Sequence, residues 1–173
     1  KSIEKYLSKF NDVTITKLDN DHLVFKGPNT KAAFIFYPGG FIDHLVYQPL
    51  MAALAHRGIM SISLKVSPLF PFLSYYYANG IKDKFPEIKN WYIGGHSLGG
   101  VSSSFYSIKH LEDFKGMIFL GAYTIINFIE TKLKVLSIYG SEDKVLNMKK
   151  YKKYKPILPK DLVEFVIEGI KLV

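Results

Sequence analysis

The sequence predicts a single α/β domain in which a mostly parallel sheet carries helices on both faces. Apolar runs of strand length alternate with segments of helical periodicity along the chain, which is the pattern of parallel βα units. The 173 residues are 48% hydrophobic, enough for one domain with one sizeable core. Because no repeat or linker divides the chain, residues 1–173 are expected to form that one domain.

The predicted strands begin with a hairpin near the N-terminus. Residues 13–18 and 22–26 are two strand-like runs, and Asp19-Asn20-Asp21 between them is a turn signal. Residues 32–37 form a continuous apolar run, which is typical of a buried strand. The other predicted strands cover residues 59–65, 91–94, 116–123, 134–139 and 163–167.

Four helices are predicted between these strands. Residues 45–57 have apolar side chains at helical spacing, and Gly58 ends the pattern. Residues 72–85 form a second candidate that ends before Pro86. The other two are residues 98–110 and 148–155.

The most informative motif is Gly95-His96-Ser97-Leu98-Gly99, a Gly-x-Ser-x-Gly between a predicted strand and a predicted helix. This context predicts a nucleophile elbow, in which a strained turn exposes the serine hydroxyl. The glycines permit a close approach of strand and helix, and the helix N-terminus favours negative charge. Ser97 is therefore the predicted nucleophile.

Two other strand ends carry residues that suit acyl transfer. Pro38-Gly39-Gly40-Phe41 follows residues 32–37, so the Gly40 N–H, with that of Leu98, is expected to form an oxyanion hole. The alternative is a plain turn. Asp143 follows residues 134–139 and suits the acid that orients an imidazole, with Glu142 a weaker candidate. The alternative there is a solvated acidic turn.

No histidine follows Asp143 in the sequence. Among the five histidines, His44 alone is expected on a loop at the edge of the site, and otherwise it is a surface residue near a helix start. His96 adjoins Ser97, so its side chain is expected to point away from the face of the nucleophile.

Together these segments resemble the α/β-hydrolase superfamily over nearly the whole chain. The resemblance is to a small, lidless bacterial branch similar to dienelactone hydrolases and carboxylesterases. It implies hydrolysis of a small-molecule ester through an acyl-enzyme on Ser97, with no cofactor. The lack of room for a lid favours short acyl groups. The substrate pocket is expected to include Phe41, His44, His96 and Pro68.

The resemblance fails at one place. Similar proteins have a Gly-Gly-Asn-His-type loop after the last strand, whereas here residues 166–169 match the approach and residues 170–173 do not continue it. The chain is therefore expected to be a poorly active form, since serine without a general base is a weak nucleophile. Three explanations stay open: a truncated or frame-disrupted enzyme, which the intact upstream motifs favour; a natural non-catalytic relative that binds a ligand or partner; or substitution by His44.

Composition argues against nucleic-acid binding, a metal site and a membrane span. The formal net charge of +8 comes almost entirely from lysine, so specific nucleic-acid recognition is not expected, although residues 149–155 interleave lysine with tyrosine. The chain has no cysteine, no metal-ligand pattern and no apolar run of about 20 residues that would span a membrane. The chain starts at Lys1, so a removed signal or anchor would make it extracytoplasmic, and otherwise it is cytoplasmic. The sequence does not specify an oligomeric state.

Overall fold

A computed structural model describes residues 2–67 and 71–171. Its centre is an eight-stranded sheet with the strand order β1-β2-β4-β3-β5-β6-β7-β8. The strands are β1 (Thr14–Lys17), β2 (Leu23–Lys26), β3 (Ala32–Tyr37), β4 (Ile59–Ser63), β5 (Trp91–His96), β6 (Gly116–Leu120), β7 (Lys134–Gly140) and β8 (Val163–Ile167).

The pairing confirms the predicted mostly parallel sheet with an N-terminal hairpin. β1 pairs antiparallel with β2, and β2 pairs antiparallel with β4. Every pair from β4 through β3, β5, β6 and β7 to β8 is parallel. The carboxyl ends of six adjacent strands, β4, β3 and β5 to β8, therefore meet at one edge of the sheet.

The helices are α1 (Ser2–Leu7), α2 (Gln48–His56), α3 (Leu98–Ser107) and α4 (Met148–Tyr154), and a 3₁₀ turn at His44–Tyr47 leads into α2. The predicted helix over residues 72–85 is wrong. The chain forms 3₁₀ segments at Pro71–Ala78 and Lys82–Lys84, and Gly80 has a positive φ of 73°. The Tyr75 carbonyl accepts from the Tyr37 hydroxyl, which ties this segment to β3.

Two apolar clusters cover the two faces of the sheet. On one face, α3 and the Pro71–Ala78 segment pack over a large cluster that contains Trp91 and Phe119. On the other face, α2 packs over β2, β3 and β4 around Phe25 and Phe36.

The second face is left partly uncovered by the described residues. Alternation along β5 to β8 places a row of apolar side chains on the α2 side of the sheet, and Val163 and Phe165 are 58% and 59% exposed. Two shallow cavities of about 300 and 310 Å³ lie on this surface. We call it the open sheet face, and it comprises Tyr92, Ile118, Leu120, Leu136, Ile138, Val163, Phe165 and Ile167.

Among residues 2–67 and 71–171, no helix is both long enough and apolar enough to cross a bilayer.

Candidate active site

Ser97 lies in a strained turn between β5 and α3. Its φ of 51° and ψ of −121° belong to a region that L-residues rarely adopt. A Cβ on Gly95 or Gly99 would lie 2.5 or 2.2 Å from the Tyr37 carbonyl oxygen, so only glycine fits on either side of the serine. The Ser97 N–H donates to the Leu120 carbonyl of β6 at 3.0 Å, which ties the turn to the sheet. The backbone at Ser97 thus has the strained geometry that the motif predicts for an elbow.

The loop after β3 forms a tight turn beside the elbow. We call residues 38–42 the oxyanion loop. The Ile42 N–H donates to the Gly39 carbonyl at 3.3 Å, and Phe41 has a positive φ of 63° with its side chain 76% exposed. Within the described parts of the chain, the N–H groups of Gly40 and Leu98 donate to no protein acceptor, so both are free for a substrate oxygen.

Tyr47 and His96 lie directly behind this loop. The Tyr47 hydroxyl accepts the Gly39 N–H at 3.0 Å and is 2.8 Å from His96 Nδ1. The His96 side chain is buried, and it lies on the α2 side of the sheet, opposite to α3. Burial lowers the pKa of His96, and the charge of Asp143 offsets part of that effect. His96 is therefore neutral near pH 7.

Asp143 follows β7 on the other side of the elbow. Its Oδ1 accepts the N–H groups of Val145 and Leu146 at 2.8 and 2.9 Å, which holds the carboxylate in a local turn. A Cβ built on Gly121 would lie 3.1 Å from Asp143 Oδ2 and 3.7 Å from His96 Nε2. Both groups therefore approach the same point after β6. Asp143 Oδ2 thus lies beside Gly121, and Asp143 itself does not line the cavity at the serine.

A cavity of about 190 Å³ opens at the serine. Its walls come from the start of α3 and from the loops that follow β6 and β7, and they combine apolar with polar surface. The lining residues are Ser97, Leu98, Val101, Gly121, Ala122, Tyr123, Val145, Leu146 and Asn147. Sequence analysis predicted only Ser97 and Leu98 among them. The position of a residue directly after a predicted strand is the signal that could have indicated the loop residues.

The four pocket residues predicted from the sequence either do not line the serine cavity or lie outside the described residues. Phe41 and His96 are in and behind the oxyanion loop and do not line this cavity. His44 is buried near the end of β4, where its carbonyl accepts the Ser63 hydroxyl and its Nδ1 is 3.1 Å from Asp43. Pro68 lies outside the described residues. The structure thus brings Ser97, Leu98, Gly40 and Asp143 to one edge of the sheet and places His44 apart from the serine cavity.

The segment after β8 returns toward the Asp143 loop. The Gly169 N–H donates to the Ser141 hydroxyl at 2.9 Å, and the Glu142 N–H donates to the Ile170 carbonyl at 3.2 Å. Residues 169–170 therefore pack against the turn that carries the acid. Among the described residues, no group of three or more metal-ligand side chains is gathered in one place.

The chain matches a known protein family over most of its length. A family model described as the alpha/beta hydrolase family matches residues 33–172. The chain belongs to the alpha/beta hydrolase family. The match spans β3 to β8 and so includes the elbow, the oxyanion loop and the Asp143 loop of this α/β hydrolase. No curated protein sequence matches the chain.

Solved structures share the fold of this α/β hydrolase at low sequence identity. A predicted CIB-like hydrolase from Thermoplasma acidophilum is 16% identical with a TM-score of 0.68, over 92% of this chain and 88% of that one. A dienelactone hydrolase from Anabaena variabilis is 10% identical with a TM-score of 0.71, over 93% and 88%. A carboxylesterase from Bacillus subtilis is 9% identical with a TM-score of 0.68, over 98% and 89%.

Proposed function

We propose that this α/β hydrolase cleaves esters or related acyl bonds of small molecules through an acyl-enzyme on Ser97. The observation that carries the proposal is the strained elbow at Ser97, beside which the Gly40 and Leu98 N–H groups have no protein acceptor among the described residues. Such donors stabilise the oxyanion of the tetrahedral intermediate. Asp143, across the elbow, would orient and stabilise an imidazolium. No cofactor takes part in this chemistry.

We propose that the 173-residue chain is a poor catalyst, because the described part of it has no general base beside Ser97. Among the described residues no histidine lines the serine cavity: His44 lies apart from it, and the Nδ1 of His96 is paired with Tyr47. Loss of the base from a serine triad costs about 10⁶-fold in turnover. An oxyanion hole and binding alone retain about 10³- to 10⁴-fold over water. A slow, Ser97-dependent esterase activity is therefore expected.

The cavity at Ser97 supports short acyl groups as substrates. Its volume of about 190 Å³ and its wall of Val101, Ala122 and Leu146 suit a small apolar group rather than a long chain. We therefore expect faster turnover of p-nitrophenyl acetate or butyrate than of the decanoate. A higher rate on the decanoate would contradict this substrate class.

Added imidazole tests whether the missing base limits the reaction. Imidazole that diffuses to Ser97 should raise the rate of p-nitrophenyl acetate hydrolysis in a saturable way. Ser97→Ala is the matched control, because it shows only the bulk reaction of imidazole with the ester. Equal rates for the parent and Ser97→Ala at every imidazole concentration would refute the proposal.

The second candidate is a non-catalytic relative that binds a small ligand or a partner in the same cavity. Among the described residues no histidine lines the serine cavity, and this observation favours it. This candidate predicts that ester analogues bind without acylating Ser97, with or without imidazole. Calorimetric binding together with an unmodified Ser97 would select it over the enzyme.

A further inference from the structure

We infer that Tyr47 and His96 are positioning residues that orient the Gly40 N–H toward the substrate oxygen. This inference rests on the proposed function of Ser97. Neither side chain lines the serine cavity, so neither is expected to touch the substrate. Both act through Gly39, the residue before the proposed oxyanion donor.

The hydrogen bonds determine which atoms carry protons. The Tyr47 oxygen accepts the Gly39 N–H at 3.0 Å, and the hydroxyl has one proton to donate. His96 Nδ1 lies 2.8 Å from that oxygen and accepts this proton in the neutral tautomer that carries its proton on Nε2. The His96 imidazole is then protonated at Nε2, the atom that lies on the side of Gly121 and Asp143. Burial of the imidazole favours this neutral form.

Gly39 transmits this arrangement to Gly40. Its N–H is held by Tyr47, and its carbonyl accepts the Ile42 N–H. The Gly39–Gly40 peptide is trans, so its C=O and its N–H point in opposite directions. A fixed Gly39 carbonyl therefore fixes the direction of the Gly40 N–H.

The surroundings make this pair rigid. The Tyr47 ring packs edge-on against the Phe36 ring, with centroids 4.7 Å apart. A Cβ on Gly39 would lie 2.8 Å from His96 Nδ1 and 3.2 Å from the Tyr47 oxygen, so the loop lies in direct contact with both side chains. Removal of the Tyr47 hydroxyl leaves the ring packing and deletes only the link to Gly39 and His96.

Three variants separate positioning from general stability. Tyr47→Phe deletes the hydroxyl, and His96→Leu deletes the acceptor. His96→Asn is the conservative variant, because its Oδ1 can accept from Tyr47 near the place of Nδ1. Tyr76→Phe is the matched control, since Tyr76 is half exposed and does not line the serine cavity.

The first readout is imidazole-assisted hydrolysis of p-nitrophenyl acetate. We expect Tyr47→Phe and His96→Leu to lower kcat by about tenfold or more with little change in KM, because a misdirected oxyanion donor loses part of its effect of about 10²- to 10³-fold. His96→Asn should recover most of kcat, and Tyr76→Phe should match the parent. Parent-like kcat in Tyr47→Phe would overturn the inference.

The second readout does not depend on catalysis. In ¹⁵N NMR spectra of the parent, His96 should show an unprotonated Nδ1. Tyr47→Phe should shift the Gly40 amide and speed the exchange of the Gly39 amide with solvent, because the Gly39 N–H loses its acceptor. An unshifted Gly40 amide would overturn the positioning role, whatever the turnover. If instead the Gly40 amide shifts as expected but Ser97 in the parent is never acylated, the proposed enzyme function fails.

Discussion

At the residue scale, the candidate site depends on strain at Ser97. Its φ of 51° and ψ of −121° are costly for a residue with a Cβ, by about 1–3 kcal/mol. Neighbouring glycines and the bond from Ser97 N–H to Leu120 hold the turn in place. The strain is tolerated because the compact surroundings allow no relaxed alternative.

Ser97→Gly should therefore stabilise the fold while Ser97→Ala should not. Both substitutions remove the hydroxyl, and only glycine relieves the strained backbone. We expect an increase of about 1 kcal/mol in the free energy of unfolding for Ser97→Gly relative to Ser97→Ala, measured by urea denaturation. If Ser97→Gly were the less stable of the two, the strain would not be real.

Buried histidines should make stability depend on pH. His22 is buried, and its Nδ1 accepts the Lys65 N–H at 2.9 Å, a bond that protonation of Nδ1 would break. Burial, together with the charge of His44, lowers the pKa of His22. Its stabilising contribution is complete above the unfolded pKa of about 6.5 and is lost as the pH falls toward the folded value.

We thus expect the free energy of unfolding to decrease between pH 7.5 and pH 5. His22→Asn keeps an acceptor for the Lys65 N–H but does not titrate, so its stability should vary less over this interval. Urea titrations at a series of pH values measure the difference. The same slope in the parent and in His22→Asn would exclude His22 as the source.

At the scale of elements, sequence patterns predicted the sheet well and the helices less well. The strands Ala32–Tyr37 and Val163–Ile167 have the predicted bounds. For the first of them the reason is that a continuous apolar run leaves few other structures open to it. Residues 72–85 deviate from the predicted helix: Gly80 has a positive φ, and the Tyr37 hydroxyl of β3 donates to the Tyr75 carbonyl and ties the segment to the sheet. A local pattern cannot foresee such a long-range hydrogen bond.

Sequence motifs likewise predicted part of the candidate site. Ser97, Gly40 and Asp143 follow directly from turn motifs at strand ends, and the structure brings them to one edge of the sheet. The link between Tyr47 and His96 joins residues 49 positions apart and depends on how α2 packs on the sheet. No spacing rule in the sequence indicates that contact.

The Tyr151 hydroxyl attaches α4 to strands β7 and β8. The Tyr151 hydroxyl is within 2.9 Å of Ser137 Oγ and 2.7 Å of Glu164 Oε2, and Ser137 is buried. Tyr151→Phe should lower the free energy of unfolding by about 1–2 kcal/mol, because buried polar groups lose a partner. Tyr154→Phe is the control, because the Tyr154 ring stacks on Tyr123 and the substitution keeps that ring. It should change the free energy of unfolding by less than about 0.5 kcal/mol. Equal effects would contradict the role of the hydroxyl.

At the scale of the whole molecule, the open sheet face is the least protected surface. Its apolar side chains span four parallel strands and end at β8, an edge strand. Contiguous apolar surface of this kind promotes association, and exposed strand edges add to that tendency. The candidate active site and the open sheet face both depend on the β5–β8 half of the sheet.

Phe165→Lys should therefore reduce concentration-dependent association and binding of the dye ANS. The substitution places a charge on an exposed position of the open sheet face without touching the buried cluster on the α3 side. Ile15→Lys, at a 41% exposed position on the opposite edge strand, is the control and should change ANS binding little. Analytical ultracentrifugation and ANS fluorescence measure both effects. Unchanged association in Phe165→Lys would contradict this view of the face.

The most direct test of the account is the covalent labelling of Ser97. The 173-residue chain is incubated with a fluorophosphonate in the presence of imidazole, and the adduct is mapped by peptide mass spectrometry. We predict one adduct, on Ser97, which forms more slowly in Tyr47→Phe and is absent in Ser97→Ala. Failure to label Ser97 at any imidazole concentration, in a chain shown to be folded, would contradict the claim that this elbow carries a nucleophile.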